Sequence, residues 1–311
     1  MAENVLVTGG AGFIGSHLCE ELLKSGKTVV CLDDLSTGRL ENLPKDAKNF
    51  TFVKGSIMNE RLVRETMKKH EVELVFHHAA VVGVDRTLEK PLDVLNVNVV
   101  GTINVLEAAR ANDAKVVNAS SSEVYGHPVE MPEREDGVMN AKFPYAVAKL
   151  IGEKYCNTYN EVYGLPTVNL RLFNVYGPRQ DGSAYGFVVA IFVGRVLAGN
   201  APIVFGDGKQ TRDFTYIKDN IEATILAAES EKAEGKTLNL GTGRETSILE
   251  LANTVIEVSG KKLKAEFGKE RPFEILRRCA DISLMKEVLD FEAKTSLKQG
   301  LEETVSYYSK K

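Results

Sequence analysis

The sequence predicts an α/β protein, a doubly wound parallel sheet followed by a smaller C-terminal lobe. Three observations carry this. Short, nearly continuous Val/Ile/Leu runs alternate with helical patterns over the first half, as expected of a parallel sheet covered on both faces. A Gly-rich turn joins the first run to the first helix. After residue 173 the alternation loosens into turn-rich segments.

In order, "NVLVT" (4–8) reads as a strand, and "FIGSHLCEELLKSG" (13–26) as a helix closed by Gly26. "TVVCLDD" (28–34), "FTFVKG" (50–55) and "VELVFHHAA" (72–80) read as strands. A long helical period covers 92–113, a strand 114–120, a helix 145–163 ended by Gly164, and a strand 167–173. "FVVAIFVGRVLAG" (187–199) reads as a buried-face helix, too short for a bilayer and containing Arg195. "IVFGDGKQTRDFTYI" (203–217) reads as two short strands around a Gly-rich turn. The expected division is a nucleotide-binding domain of 1–173 plus about 217–241, and a substrate lobe of 174–216 and 242–311.

A net charge of −4 gives no general attraction to nucleic acid or an anionic membrane, so neither partner is expected. Cys19, Cys31, Cys156 and Cys279 show neither metal-pair nor disulfide spacing, so they read as small core residues in a reducing cytosol. No metal site is expected, and the N-terminus has no signal-peptide pattern.

In "VTGGAGFIGSHL", Gly10, Gly12 and Gly15 fit G-x-G-x-x-G, with Gly9 also in the turn. Such glycines let a pyrophosphate approach the backbone and the helix N-terminus. Asp33 ends the second strand, where a carboxylate accepts from a ribose hydroxyl and repels a 2′-phosphate. NAD is therefore expected rather than NADP, and the adjacent Asp34 adds to the charge argument. In "YAVAK", Tyr145 and Lys149 are four residues apart on one helix face. An ammonium near a phenol favours the phenolate, which makes Tyr145 a candidate general base. The strand end "NASSSEVYG" (118–126) lies about twenty residues upstream and supplies Ser121 and Glu123.

Together with "LRLFNVYGPRQ" and "GDGKQTRDFTYIKD", these motifs make the whole chain resemble the extended short-chain dehydrogenase/reductase superfamily, and within it the NAD-dependent epimerase/dehydratase family acting on nucleotide-diphosphate sugars. The resemblance implies a Rossmann-type domain holding NAD and a lobe holding a UDP-sugar. It implies that Ser121 hydrogen-bonds the reacting 4-OH, that Tyr145 shares its proton, and that Lys149 holds the nicotinamide ribose. It extends the cofactor site to Phe13, Ile14, Ser36, Thr37, Gly38, Ser56, Ile57, Phe76, Ala79, Ala80, Asn98, Ser120 and Phe173. The substrate site gains Ser122, Asn174, Val188, Arg212, Arg271, Glu274 and Arg278, with Arg212 and Arg271 clamping the diphosphate. It also implies a homodimer through a four-helix bundle of the 92–112 and 145–163 helices.

The activity implied is UDP-glucose/UDP-galactose-type 4-epimerisation through a transient 4-keto sugar. The sequence departs from that pattern in three places. Glu123 resembles the base of 4,6-dehydratases and UDP-glucuronate decarboxylases, which keeps those reactions as an alternative; its other reading is a carboxylate satisfied by backbone N–H groups. Arg278 stands where the epimerases set room for the sugar's substituent; it argues for a plain hexose, pairs with a sugar carboxylate, or is a surface charge. Ser56 replaces an aspartate that touches adenine. A non-catalytic NAD-binding sensor is a further alternative, opposed by the intact set Ser121, Tyr145 and Lys149.

Overall fold

The computed structural model describes residues 3–82, 89–180, 182, 187–271 and 274–310. The first half contains β1 (Asn4–Thr8), α1 (Phe13–Lys24), β2 (Thr28–Asp33), β3 (Phe50–Lys54), α2 (Glu60–Lys69) and β4 (Leu74–His77). There follow α3 (Pro91–Leu95), α4 (Gly101–Arg110), β5 (Lys115–Ser121), α5 (Pro144–Tyr163) and β6 (Thr167–Leu172). The second half contains α6 (Val188–Leu197), β7 (Ile203–Phe205), β8 (Thr211–Arg212), α7 (Ile217–Glu229) and β9 (Thr237–Leu240). It ends with β10 (Thr246–Ser247), α8 (Ile248–Ser259), β11 (Glu266–Gly268), α9 (Ser283–Leu289) and α10 (Leu297–Ser309).

Seven parallel strands form one sheet in the order β3-β2-β1-β4-β5-β6-β9. Helices α1 and α7 cover one face, and α2, α4 and α5 the other. Alternate residues of each strand enter opposite cores. Val5, Val7, Val29 and Phe76 face one core, and Leu6, Val30, Val75 and Val116 face the other. A strand buried on both faces cannot alternate polar with apolar, which explains the continuous aliphatic runs. Each fully buried aliphatic side chain contributes about 1.5–3 kcal/mol. The strand order reverses between β1 and β4, and a doubly wound sheet opens its ligand crevice at the carboxyl ends of the strands beside such a switch.

The 92–113 helical period is interrupted. Asn96–Val100 forms a π-type turn between α3 and α4. Within it the Asn98 side chain binds Val81, accepting from its N–H at 2.7 Å and donating to its carbonyl at 3.0 Å. Pro91–Arg110 is the one segment among the described residues long and apolar enough to cross a membrane, and it packs on α2 and α5. The two short strands expected in 203–217 exist but do not pair with each other: β7 pairs with β11 in parallel, and β8 with β10 antiparallel. Helix α6 buries Val189, Phe192, Val193 and Val196. All four cysteines are buried and free. No cluster of three or more metal-ligating side chains occurs among the described residues.

Candidate active site

The nucleotide cradle is built by the β1–α1 turn. Gly9 has φ +72, and a Cβ there would lie 2.7 Å from the Ala79 nitrogen; a Cβ on Gly15 would run into the Gly9 carbonyl oxygen. Only glycine fits either position. Helix α1 starts at Gly12 with no side-chain cap and no acidic residue in its first turn, so its N–H groups and dipole are offered outward. Asp33, at the end of β2, accepts from Ala11 N at 3.0 Å and Leu35 N at 2.8 Å, and burial raises its carboxyl above the usual range. Gly38 lies against that carboxylate, where a Cβ would be 2.7 Å from Asp33 Oδ1. Asp34 caps the turn that leads into Thr37, accepting from Ser36 N at 2.8 Å. Ser56 Oγ accepts from Met58 N at 3.3 Å, and Ile57 is buried against the Gly101 end of α4. Asn98 fixes the chain that follows Ala79 and Ala80. Phe76 is fully buried in the core, so only its backbone borders the crevice. Phe13 and Ile14 pack partly buried at the start of α1. These features form a cradle that fits an NAD pyrophosphate and adenosine ribose.

The side chains expected from the sequence to react lie around the end of β5. Lys149 is buried and donates to the Ala119 carbonyl oxygen at 2.5 Å. Its Nζ is 5.9 Å from the Tyr145 ring centroid, and burial lowers its pKa to about 8. The net direction at the Tyr145 phenol is upward. Burial dominates and pushes the phenol up to about 12, while the neighbouring Ser121 hydroxyl favours the phenolate and Glu123 opposes it. The Lys149 ammonium itself donates to the strand carbonyl. Ser121 Oγ also accepts from Glu123 N at 3.2 Å, capping the short turn Ser122–Tyr125.

Glu123 is not held by backbone N–H groups among the described residues; its carboxylate is 38% exposed and lies 3.8 Å from Arg278 Nη1. Arg278 is no surface charge. It is 0% exposed, and its guanidinium donates to both ends of the same turn, at Ser122 O and, at 2.8 Å, at Gly126 O. Arg277 is the surface residue of the pair and binds Glu245. Arg212 binds Glu274 at 2.5 Å and the Ile275 carbonyl at 2.7 Å. The Arg271 guanidinium lies 4.1 Å over the Phe205 ring. Asn174 has φ +29 and a buried Nδ2 without a hydrogen-bond partner among the described residues, an amide free to donate to a ligand. Phe173 is buried against Tyr125, and Val188 opens α6.

Sequence reasoning missed the support beneath β5. Ser120 Oγ donates to Glu153 Oε1 at 2.5 Å, and Arg171 pairs with Glu153 through Nε at 3.0 Å and Nη2 at 2.8 Å. Arg171 Nη1 reaches the Tyr125 hydroxyl at 2.8 Å, which donates to Asn239 Oδ1 at 2.7 Å. The signal available was a charged residue inside an apolar strand, "TVNLRLF", and Glu153 on the Tyr145/Lys149 face of α5.

Comparison with known proteins fits this geometry. Residues 6–304 match the family described as GDP-mannose 4,6 dehydratase. The chain belongs to the NAD-dependent epimerase/dehydratase family of extended short-chain dehydrogenase/reductases. It is 39% identical to a UDP-N-acetyl-alpha-D-glucosaminuronate decarboxylase of Bacillus cytotoxicus, over 99% of this chain and 98% of that one. It is 40% identical to a UDP-glucose 4-epimerase of Mycolicibacterium smegmatis, over 98% of each. A UDP-glucose 4-epimerase from Thermus thermophilus, solved with NAD, superposes with TM-score 0.90 at 35% identity over 98% of both chains. The family is one of epimerases, decarboxylases and dehydratases; this member is an enzyme of that group, and NAD is its cofactor.

Proposed function

We propose that this enzyme interconverts the C4 epimers of a UDP-hexose through a transient 4-keto sugar. The observation that carries the reading is the convergence of Ser121, Tyr145 and Lys149 at the end of β5, above the glycine cradle. Tyr145 takes the proton of the sugar 4-OH, and Ser121 holds that oxygen. Bound NAD would supply hydride-transfer chemistry at C4. Lys149 keeps a buried positive charge beside the phenol. That charge and the cofactor's own oppose the burial that raises Tyr145. Asn174, Arg212 and Arg271 hold the diphosphate, in a lobe formed by 174–216 and 242–311 against the sheet domain.

Two features support epimerisation over its alternatives. The Arg278 amino groups are spent on Ser122 O and Gly126 O, so they are not offered to a sugar carboxylate. Ser122 offers no carboxylic acid to protonate a departing O6. A second reading, a lyase acting at C5, is favoured by Glu123, which is partly exposed and free of backbone hydrogen bonds among the described residues. Proton NMR of the protein with UDP-glucose, UDP-N-acetylglucosamine and UDP-glucuronate separates them. The galacto isomer with intact C6 is expected. A pentose, an unsaturated sugar or a 6-deoxy-4-keto sugar makes Glu123 the working base. No turnover of any of the three leaves a sensor.

A further inference from the structure

Glu133 has no part in the cofactor cradle or the reacting set. Its backbone is seated like a strand: Glu133 N donates to Cys279 O at 2.8 Å, and Asp281 N donates to Glu133 O at 2.8 Å. The residue is 2% exposed, and neither carboxylate oxygen has a hydrogen-bond partner among the described residues. A buried carboxylate in that state is costly unless a charge compensates it or a proton neutralises it.

The charges around it belong to the ligand site. From the 278–281 segment it faces Arg278, whose Nε is likewise buried without a partner, and the Cys279 thiol. From the β8 region it feels Arg212, and from the turn after β5 it feels Glu123. On its own loop Glu135 is occupied by Asn239 N at 2.8 Å. Arg212 is itself bound to Glu274. The cluster therefore sets two guanidinium groups against Glu123, Glu274 and Glu133, with only Glu123 substantially exposed.

We propose that Glu133 takes up a proton when the diphosphate of a nucleotide sugar docks on Arg212, so that substrate binding is proton-linked through a positioning residue that never touches the substrate. This rests on the reading of Arg212 as a diphosphate ligand. A diphosphate brings two negative charges into the cluster and consumes the field of a cation that now favours ionised Glu133. In a poorly screened site such changes act over several ångströms. Burial already holds the Glu133 carboxyl up at about 7, with Arg278, the Cys279 backbone and Arg212 pulling down and Glu123 pushing up. Added negative charge moves it further up, so the complex binds more protons than the free enzyme near neutral pH. Affinity is then greatest below pH 7 and weakens as pH rises through that value. The diphosphate diester of a UDP-sugar has no titrating group near neutrality, so the proton cannot come to the ligand.

Isothermal titration calorimetry of the NAD-loaded protein with UDP-glucose, in buffers of different ionisation enthalpy at one pH, counts the proton. A fraction of a proton taken up is expected, greatest close to pH 7. A rise of half to one pH unit in the group corresponds to binding about two- to fivefold weaker at pH 8 than at pH 6. Uptake is expected to vanish in Glu133→Gln and to persist in Glu133→Asp. Binding without uptake, or equal uptake in Glu133→Gln, overturns the proposal. If Glu133→Gln does not fold, the wild-type profile decides. An uptake maximum at pH 8 or above assigns the proton to Lys149 and overturns it too. Absence of any UDP-glucose binding overturns the nucleotide-sugar reading, and the linkage falls with it.

Discussion

At the scale of single residues, Tyr145 combines the right position with an unfavourable pKa. Its phenol is held up at about 12, so proton removal at neutral pH depends on positive charge that the folded chain supplies only in part, through Lys149. Replacing it with Phe keeps the ring and deletes the proton acceptor. General acid–base groups contribute about 10²–10⁴-fold. Tyr145→Phe is expected to lower kcat by that amount on whichever nucleotide sugar the wild type converts, with bound NAD unchanged by absorbance. A variant within threefold of wild type would remove Tyr145 from the chemistry. Tyr145 and Lys149 were legible in the sequence because their relation is local, one helix turn. Arg278 was not, because the carbonyls it binds lie 156 and 152 residues away. Glu133 gave no signal either: the segments that pair with it, β9 and 278–281, lie more than a hundred residues away.

At the scale of elements, the parallel strands and their helices follow from periodicity, and the departures come from side chains that bind across elements. Asn98 binds Val81 from a π-type segment, and no period in 92–113 announces it. The histidine ending β4 acts similarly. His77 Nδ1 lies 2.8 Å from Thr8 Oγ1 and its Nε2 2.9 Å from Thr102 Oγ1, tying β1, β4 and α4 together. Burial and the Lys149 charge lower the His77 pKa from 6.5 to about 3. Between those values the unfolded chain binds the proton and the native chain does not. The histidine therefore costs nothing above pH 6.5 and destabilises progressively as pH falls toward 3, by at most about 1.4 kcal/mol per pH unit. His78, also lowered to about 3, adds in the same direction. Urea midpoints at pH 7.5 and 5 are expected to drop less in His77→Gln than in the wild type. An equal drop in both would assign the acid lability to other groups.

At the scale of the whole molecule, one surface is at odds with an isolated chain. Leu92 is 71% exposed, Leu95 47% and Val100 41%, along the 91–110 segment. On the neighbouring α5, Val162 is 65% exposed, Tyr163 54%, Val147 40% and Tyr155 39%. The two segments pack against each other, so these exposed apolar residues lie on neighbouring elements. Exposed apolar residues grouped in this way mark an interaction surface rather than scattered exposure. Two such helix pairs brought together by a twofold axis bury them on both copies, in the arrangement of a four-helix bundle. A lipid surface would demand more: the 91–110 segment already turns 44% of its apolar window into the protein. The enzyme is expected to sediment as a homodimer at micromolar concentration. Leu92→Glu combined with Val162→Glu is expected to yield monomers with unchanged far-UV circular dichroism, because neither side chain belongs to either core. A wild type that sediments as a monomer would leave these residues without a partner, and an unchanged dimer in the double variant would move the interface elsewhere.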